Sequence, residues 1–394
     1  MMTASHLHQI DMEPSHPFTT MGLTRKNGVS PLRQPSALWM SHSMTVHSIP
    51  RTTVLGIIPW PLLAVLGLLL TGTPASQADD HSRFPDKRVP ELPTFRSLFG
   101  PNYSHAYLKH ADQFPFRPTA QQFERVNAWW LAELSMLAYA DGDGFIKRQL
   151  KAAGMHHVKR YASPEGSLHD TQVIVAYDAH TILVAFRGTE PDQWKDFLTD
   201  LNAHQTASAS GGKVHSGFSS ALQSVWNQMK PELDRLSSEG RRVWFTGHSL
   251  GAALAVLAAH QFGKPAGVYT FGSPRIGDSE FARKYTQPTY RVVNNTDFVT
   301  EVPPPLLYYH IGDLMYFDSD HHLTSGIAVS GLIKDRARSQ ATAMMDRISQ
   351  WAKLDLDTKP VKTVRDHAPI LYAIHCWNEL IRQHRSNENR TKGR

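Results

Sequence analysis

A single cysteine, Cys376, stands in this chain of 394 residues. That excludes an internal disulfide framework and any zinc or iron–sulfur site built on several thiolates. A strong excess of one charge is also missing: 41 lysine and arginine residues against 35 aspartate and glutamate residues leave +6. This is too little for the basic footprint of a nucleic-acid binder, so no nucleic-acid partner is expected. The 25 glycines and 25 prolines follow no Gly-X-Y period, which excludes a collagen-like fibre. Charged residues make up only 19% and hydrophobic residues 41%, the balance of a folded chain rather than a disordered one. Without disulfides, stability must come from an apolar core, for which the chain is long enough.

One stretch is not globular in character. Residues 54–70, VLGIIPWPLLAVLGLLL, carry no charge; Arg51 precedes them, and TPASQA follows before Asp79 and Asp80. A basic flank, an apolar run and small residues at Ser76 and Ala78 form a secretory signal peptide, read over 44–78 with cleavage after Ala78. The competing reading is a membrane anchor. A span needs roughly 20 apolar residues, whereas this run is shorter and carries Pro59 and Pro61. Residues 1–43 are polar and His-rich without periodicity, and Met40 and Met44 are better placed starts, so they read as a disordered leader or a misassigned start. The rest of the chain is then exported, secreted or periplasmic, with outward-facing membrane anchoring as the second choice.

Residues 79–118 read as an extended lead-in covering the domain. From Thr119 to Tyr139, Phe123, Val126, Trp130, Leu134 and Leu137 form the apolar stripe of a helix. The DGDG at 141–144 ends it. It is not a calcium loop, because Phe145 and Ile146 stand where an oxygen ligand and a glycine are needed. QVIVAYD (172–178) and TILVAFRG (181–188) predict a hairpin. Thereafter the pattern alternates: a helix over Ser219–Leu236, strand 241–247, helix 252–262, strand 266–272, a helix from Asp278 and strand 289–293. Strands separated by helices imply parallel pairing, hence a three-layer α/β fold with a mostly parallel central sheet in a single domain over 119–385. The last helix is expected at about Pro369–Arg385, and 386–394 as a disordered basic tail.

Gly247-His248-Ser249-Leu250-Gly251 lies between the apolar strand VWFT and the alanine-rich helix AALAVLAAHQF. A lone G-x-S-x-G says little; set in a strand–turn–helix it has the form of the nucleophile elbow of α/β-hydrolases. A serine hydroxyl needs a base within hydrogen-bond reach and an acid to orient that base. In that fold the chain order is serine, acid, histidine. Asp297, just past the strand at 289–293, stands where the acid is due. Of 22 histidines, His248 flanks the nucleophile and points the wrong way, and His310, His321 and His322 follow the acid too closely. His367 lies on a loop before the last helix, from which it can reach back over the sheet. Asp318, Asp320, His321 and His322 have the residue types of a metal site, but a solvated polar loop accounts for them equally, and no metal is assigned.

Taken in order, ELSMLAY, FRGT, VHSGF, GHSLGAA, FGSPRIGD, RVVNNTDFV and a late DH resemble the class 3 lipases, the family of fungal-type triacylglycerol lipases, over roughly 119–384. The resemblance implies Ser249 as nucleophile, Asp297 as acid and His367 as base. It places the oxyanion hole on the Leu250 backbone N–H and on Thr189, and it implies no cofactor. Thr189 also suits a helix N-cap. Trp194, Phe197, Leu198 and Leu201 fall on one face of a short amphipathic helix. In the family this region is a lid that opens at an oil–water interface; permanent packing on the core fits the stripe equally well. The expected activity is an exported serine carboxylester hydrolase, first a triacylglycerol lipase, with a lipid or other acyl ester as partner at a lipid–water interface. Short-chain esterase, phospholipase and feruloyl-type esterase are the alternatives, and a catalytically dead binding protein on a hydrolase scaffold is the non-enzyme one.

Overall fold

The β-branched runs and the alternating pattern assemble into a sheet of eight strands in the computed structural model, which describes residues 83–89, 91, 94–190, 193, 197, 204–326 and 362–392. The strands are β1 (His157–Ala162), β2 (Gln172–Tyr177), β3 (Thr181–Phe186), β6 (Arg242–His248), β7 (Gly267–Phe271), β8 (Thr289–Asn294), β9 (Asp313–Phe317) and β10 (Leu323–Ser325), in that spatial order. Pairing is parallel from β3 through β9 and antiparallel at both edges. A separate two-stranded ribbon joins β4 (Gln205–Ala207) to β5 (Lys213–His215). The helices are α1 (Phe95–Phe99), α2 (Arg125–Leu137), α3 (Asp143–Ala152), α4 (Ser216–Ser238), α5 (Leu250–Phe262), α6 (Ser279–Lys284), α7 (Lys362–Arg365) and α8 (Pro369–Lys392).

Strand β6 shows how three layers arise from one sequence. Its residues 243–248 are all buried, as expected for a strand covered on both faces. Phe245 meets Phe262 of α5 with ring centroids 5.8 Å apart. On the opposite face, Thr246 Oγ1 donates to the Leu131 carbonyl of α2 at 3.2 Å, and Trp244 packs edge-on to Phe116. Helix α2 lies against α8, and α4 against α5. One core runs from Phe84 to Ile381. This is a three-layer α/β architecture with a mostly parallel central sheet.

Several expectations need correction. Residues 79–118 are not merely extended: α1 forms there, capped by Thr94, and Phe84, Phe95, Phe99, Tyr107 and Phe114 are buried. The helix expected from Thr119 starts at Arg125, because the Asn127 amide ties down the backbone N–H and C=O of Arg117 at 2.8 and 2.9 Å and holds the intervening segment as a loop. Phe123 belongs to that loop and packs at a tilt against the Tyr269 ring. A further helix, α3, begins within DGDG at Asp143, and its buried Ile146 and Leu150 stand one turn apart. Strand β1 and the β9–β10 pair also escaped the sequence reading; β1 is a half-exposed edge strand without a clean apolar alternation. Helix α8 continues to Lys392 rather than giving way to a disordered tail at 386. That segment has no glycine or proline before Gly393, and His384 pairs with Glu388 one turn on. The leader and signal segments at 1–78 lie outside the described residues. Among those described, no helix is long and apolar enough to cross a membrane.

The lead-in is fastened to the domain by a buried acid. Glu133 of α2 is fully buried and receives Lys87 Nζ and His105 Nε2, each at 2.7 Å, and the Trp129 indole N–H at 3.2 Å. Burial alone would raise its carboxyl pKa, but the charge of Lys87 and the bonds from His105 outweigh it and hold it at about 2. The folded pKa is depressed, so the stabilisation is complete above the unfolded value near 4.5 and is lost as pH falls toward 2. Denaturant unfolding between pH 7 and pH 3 is expected to show a decline due to Glu133 confined to the range below about 5, about 2 kcal/mol by pH 3 out of about 3 in full. In E133Q this part of the decline disappears.

Candidate active site

Strand β6 runs into the turn Gly247–Gly251, from which α5 departs. Ser249 at its tip has φ 59° and ψ −126°, a conformation that costs a non-glycine residue and persists only where its surroundings enforce it. Close approach enforces it here. A Cβ on Gly247 would strike the backbone of Gly251, and one on Gly251 would strike that of Phe186 at the end of β3. The Ser249 N–H donates to the Phe271 carbonyl of β7 at 2.9 Å. Ser249 is fully buried, and its Oγ has no hydrogen-bond partner among the described residues. An unmade bond in the interior is costly, and a buried hydroxyl that bears this cost is a candidate for chemistry.

Asp297 stands just beyond the carboxyl end of β8 and caps the 3-10 turn Phe298–Glu301. Its Oδ1 accepts the Val299 N–H at 2.9 Å. Its Oδ2 accepts from His367 Nδ1 at 2.8 Å and from the Tyr372 hydroxyl of α8 at 2.5 Å. A carboxylate only accepts, so the His367 proton sits on Nδ1 and, in the neutral ring, Nε2 carries the lone pair. The backbone N–H of Asn294 donates to the Tyr372 oxygen at 3.0 Å, and burial together with the Asp297 charge pushes the phenol pKa well up, so it remains a donor. Gly272, with φ +61°, makes room for this pair: a Cβ there would come within 2.7 Å of Asp297 Oδ2 and 2.8 Å of the His367 ring.

His367 occupies the turn between α7 and α8, and the whole turn is gripped. Asn294 Nδ2 donates to the Asp366 carbonyl at 2.9 Å, and Asp366 Oδ2 accepts from Thr296 N, Thr296 Oγ1 and Lys362 Nζ. Phe99 of α1 and Phe298 border the imidazole. His248, next to the nucleophile, faces it across 4.5 Å between ring centroids. The structure therefore brings His367 against Asp297 and against the turn that carries Ser249.

Leu250 is the first residue of α5, so its N–H lacks a partner within the helix. Thr189 is buried past the end of β3, and its Oγ1 has no hydrogen-bond partner among the described residues. The segment just past β3 approaches so closely that a Cβ on Gly188 would lie 2.6 Å from the His248 carbonyl. Arg187, an isolated cation after an apolar run, anchors this stretch: it donates to the Asp170 carboxylate at 2.6 Å and carbonyl at 3.0 Å and pairs with Glu190. Of the expected lid stripe, Phe197 is packed in the core, while Trp194, Leu198 and Leu201 lie outside the described residues. His215 caps α4 and stacks on Phe218. Asp318 Oδ1 accepts the N–H groups of Asp320 and His322, a polar turn within the β9–β10 hairpin. Sequence reasoning missed Tyr372, Tyr139, Arg187 and the part taken by the His248 ring. Only Arg187 carried a local signal, as a cation at the end of a buried strand.

The Tyr372 hydroxyl is a donor to a buried carboxylate, a bond worth roughly 1.5–3 kcal/mol. Tyr372→Phe is expected to lower unfolding stability by about 2 kcal/mol with the fold retained. Equilibrium denaturation checks this, and an unchanged midpoint contradicts it.

Residues 183–307 match the family model of class 3 lipases. The chain is 30% identical over 203 residues to the triacylglycerol lipase OBL1 of Arabidopsis thaliana, covering 37% of this chain and 39% of that protein. It is 31% identical over 205 residues to a lipase of Rhizomucor miehei, covering 47% of this chain and 56% of the relative. Among solved structures, a lipase from Rhizopus microsporus var. chinensis matches with 31% identity, a TM-score of 0.38, and coverage of 43% of this chain and 64% of that one. The chain thus spans about two fifths to three fifths of the length of these curated relatives. The matched stretch takes in most of β3, the serine turn and the Asp297 loop, and over it the chain is similar to class 3 lipases.

Proposed function

We propose that this protein is a serine carboxylester hydrolase acting on acyl esters of lipids, triacylglycerols first among them, with Ser249 as nucleophile, His367 as base and Asp297 as the acid that orients it. The observation that carries this reading is the 2.8 Å bond from His367 Nδ1 to buried Asp297, formed beside a strained turn that holds an unpartnered serine hydroxyl. The family match and the named activities of the relatives support the substrate class.

The chemistry that this assignment implies is acyl transfer through the serine hydroxyl. Ser249 Oγ attacks the acyl carbon while its proton passes to His367 Nε2, and the imidazolium is stabilised by Asp297 through Nδ1–H. Negative charge gathers on the former carbonyl oxygen, where the Leu250 N–H at the start of α5 and the Thr189 N–H and hydroxyl are the donors; one such donor is worth about 3 kcal/mol. The tetrahedral species collapses, the C–O bond to the alcohol breaks, and Nε2–H protonates the departing alkoxide. Water, deprotonated by the same nitrogen, then hydrolyses the acyl-enzyme. Ser249 is buried here, so turnover requires an opening step that admits the substrate.

Hydrolysis of nitrophenyl esters of rising chain length tests the assignment. Activity should extend to long acyl chains, and Ser249→Ala should lower kcat by about a million-fold with an unchanged unfolding profile. An S249A protein that keeps its activity contradicts the reading. We also propose export, on the strength of the apolar run at 54–70 and the small residues after it. Mass spectrometry of the protein recovered outside the producing cell should find a mature N-terminus at Asp79; one upstream of residue 54 contradicts cleavage.

A further inference from the structure

His248 is a buried polar side chain that the mechanism above does not use. Its Nε2 lies 2.6 Å from the His367 backbone carbonyl and its Nδ1 2.8 Å from the Tyr139 hydroxyl. A carbonyl oxygen only accepts, so Nε2 carries the hydrogen. Nδ1 is then the acceptor, and Tyr139 O–H must be the donor. The two bonds set the proton order of the chain Tyr139 O–H to His248, and His248 Nε2–H to the main chain of His367. Burial, and then the neighbouring His367, push the His248 pKa well below its ordinary value, so the ring stays neutral. Burial likewise raises the Tyr139 phenol and keeps its proton in place.

We propose that His248 is a positioning residue for the catalytic base: it ties the His367 main chain to the same turn that carries Ser249, with Tyr139 fixing its tautomer. The proposal rests on the assignment of His367 as base. The reason for a tether lies in the topology. Ser249 is placed by β6, whereas His367 comes from a turn 118 residues later in sequence, after the last strand of the sheet. The Asp297 bond orients the imidazole about Nδ1, and His248 fixes the backbone from which the ring projects. Because His248 and Ser249 are adjacent, any displacement of the elbow carries the base with it, and the spacing between hydroxyl and imidazole is conserved. A neutral ring is needed for this task. A cation 4.5 Å from His367 would oppose formation of the imidazolium during attack. An apolar residue would fill the space but donate nothing to the His367 carbonyl.

Three variants separate these roles. His248→Phe keeps the volume and removes both bonds; kcat on a soluble nitrophenyl ester should fall about 100-fold, the usual penalty for a catalytic group displaced by ~1 Å, with KM little changed. His248→Gln places an N–H close to the position of Nε2 and should recover most of that loss. Tyr139→Phe frees the tautomer and should cost about ten-fold. Proton NMR supplies a readout independent of turnover. The His367 Nδ1–H bonded to buried Asp297 should resonate far downfield in the wild type, shift or broaden in H248F, and return in H248Q. Wild-type kcat and an unmoved signal in H248F overturn the proposal, as does an H248Q no better than H248F. If H248F does not fold, Y139F decides: a ten-fold loss in kcat supports the tether, and wild-type kcat overturns it. A wild-type protein that hydrolyses no ester, yet shows the signal moving in H248F and returning in H248Q, sinks the hydrolase reading and leaves the tether standing.

Discussion

A carboxylate with no access to water must be surrounded by donors, and the functional end of this molecule is organised around that demand. Asp297 is fully buried, and its donors come from three places: Val299 in its own turn, His367 before the last helix, and Tyr372 within that helix. Supplying them fixes the order of construction. Strand β8 must deliver Asp297 to the carboxyl end of the sheet, and α8 must pack on α2 closely enough for Tyr372 to reach inward. The turn between α7 and α8 must then fold back over the strand ends. The core and the candidate site are therefore one structure. The residues that bury α8, among them Tyr372, Ile374, Trp377 and Ile381, lie on the helix that holds the acid in place.

The serine turn imposes a complementary constraint. Holding Ser249 at positive φ requires backbone contact between β6, α5 and β3, which leaves no room for side chains at Gly247, Gly251 and Gly188. The cost of that strain is carried by a sheet buried on both faces. What results is a hydroxyl held in position before any substrate arrives, which is the condition for the oriented attack that accounts for much of the rate of such reactions. The lead-in from Phe84 to Phe114 completes the enclosure, since Phe99 covers one side of the imidazole and Glu133 pins the segment through Lys87 and His105.

Much of this was legible in the sequence, and the remainder was hidden for physical reasons. The parallel strands announce themselves because a strand covered on both faces is continuously apolar, as in TILVAF and VWFT. Ser249 is readable because its turn constrains the residues beside it, and Asp297 because it ends a strand at the expected point in chain order. His367 has no such context, being one histidine among 22. Its bonding to Asp297 is a fact of tertiary structure, as are the bonds of Tyr372 and Tyr139, whose neighbours in sequence say nothing of what their hydroxyls reach. Helix α3 and strand β1 lie at the sheet edge, where half-exposed residues blur the periodicity on which such readings depend. The tail beyond Arg385 looked disordered by composition, yet it extends a helix already anchored in the core.

Covalent trapping tests the central claim most directly. Treatment with a long-chain alkyl phosphonate ester at an oil–water interface, followed by proteolysis and mass spectrometry, reads out which side chain is the nucleophile. A single adduct on the peptide containing Gly247–Gly251, localised to Ser249 and absent when His367 is replaced, is the predicted result. Labelling at another residue, or none under conditions in which a known serine hydrolase reacts to completion, would contradict it.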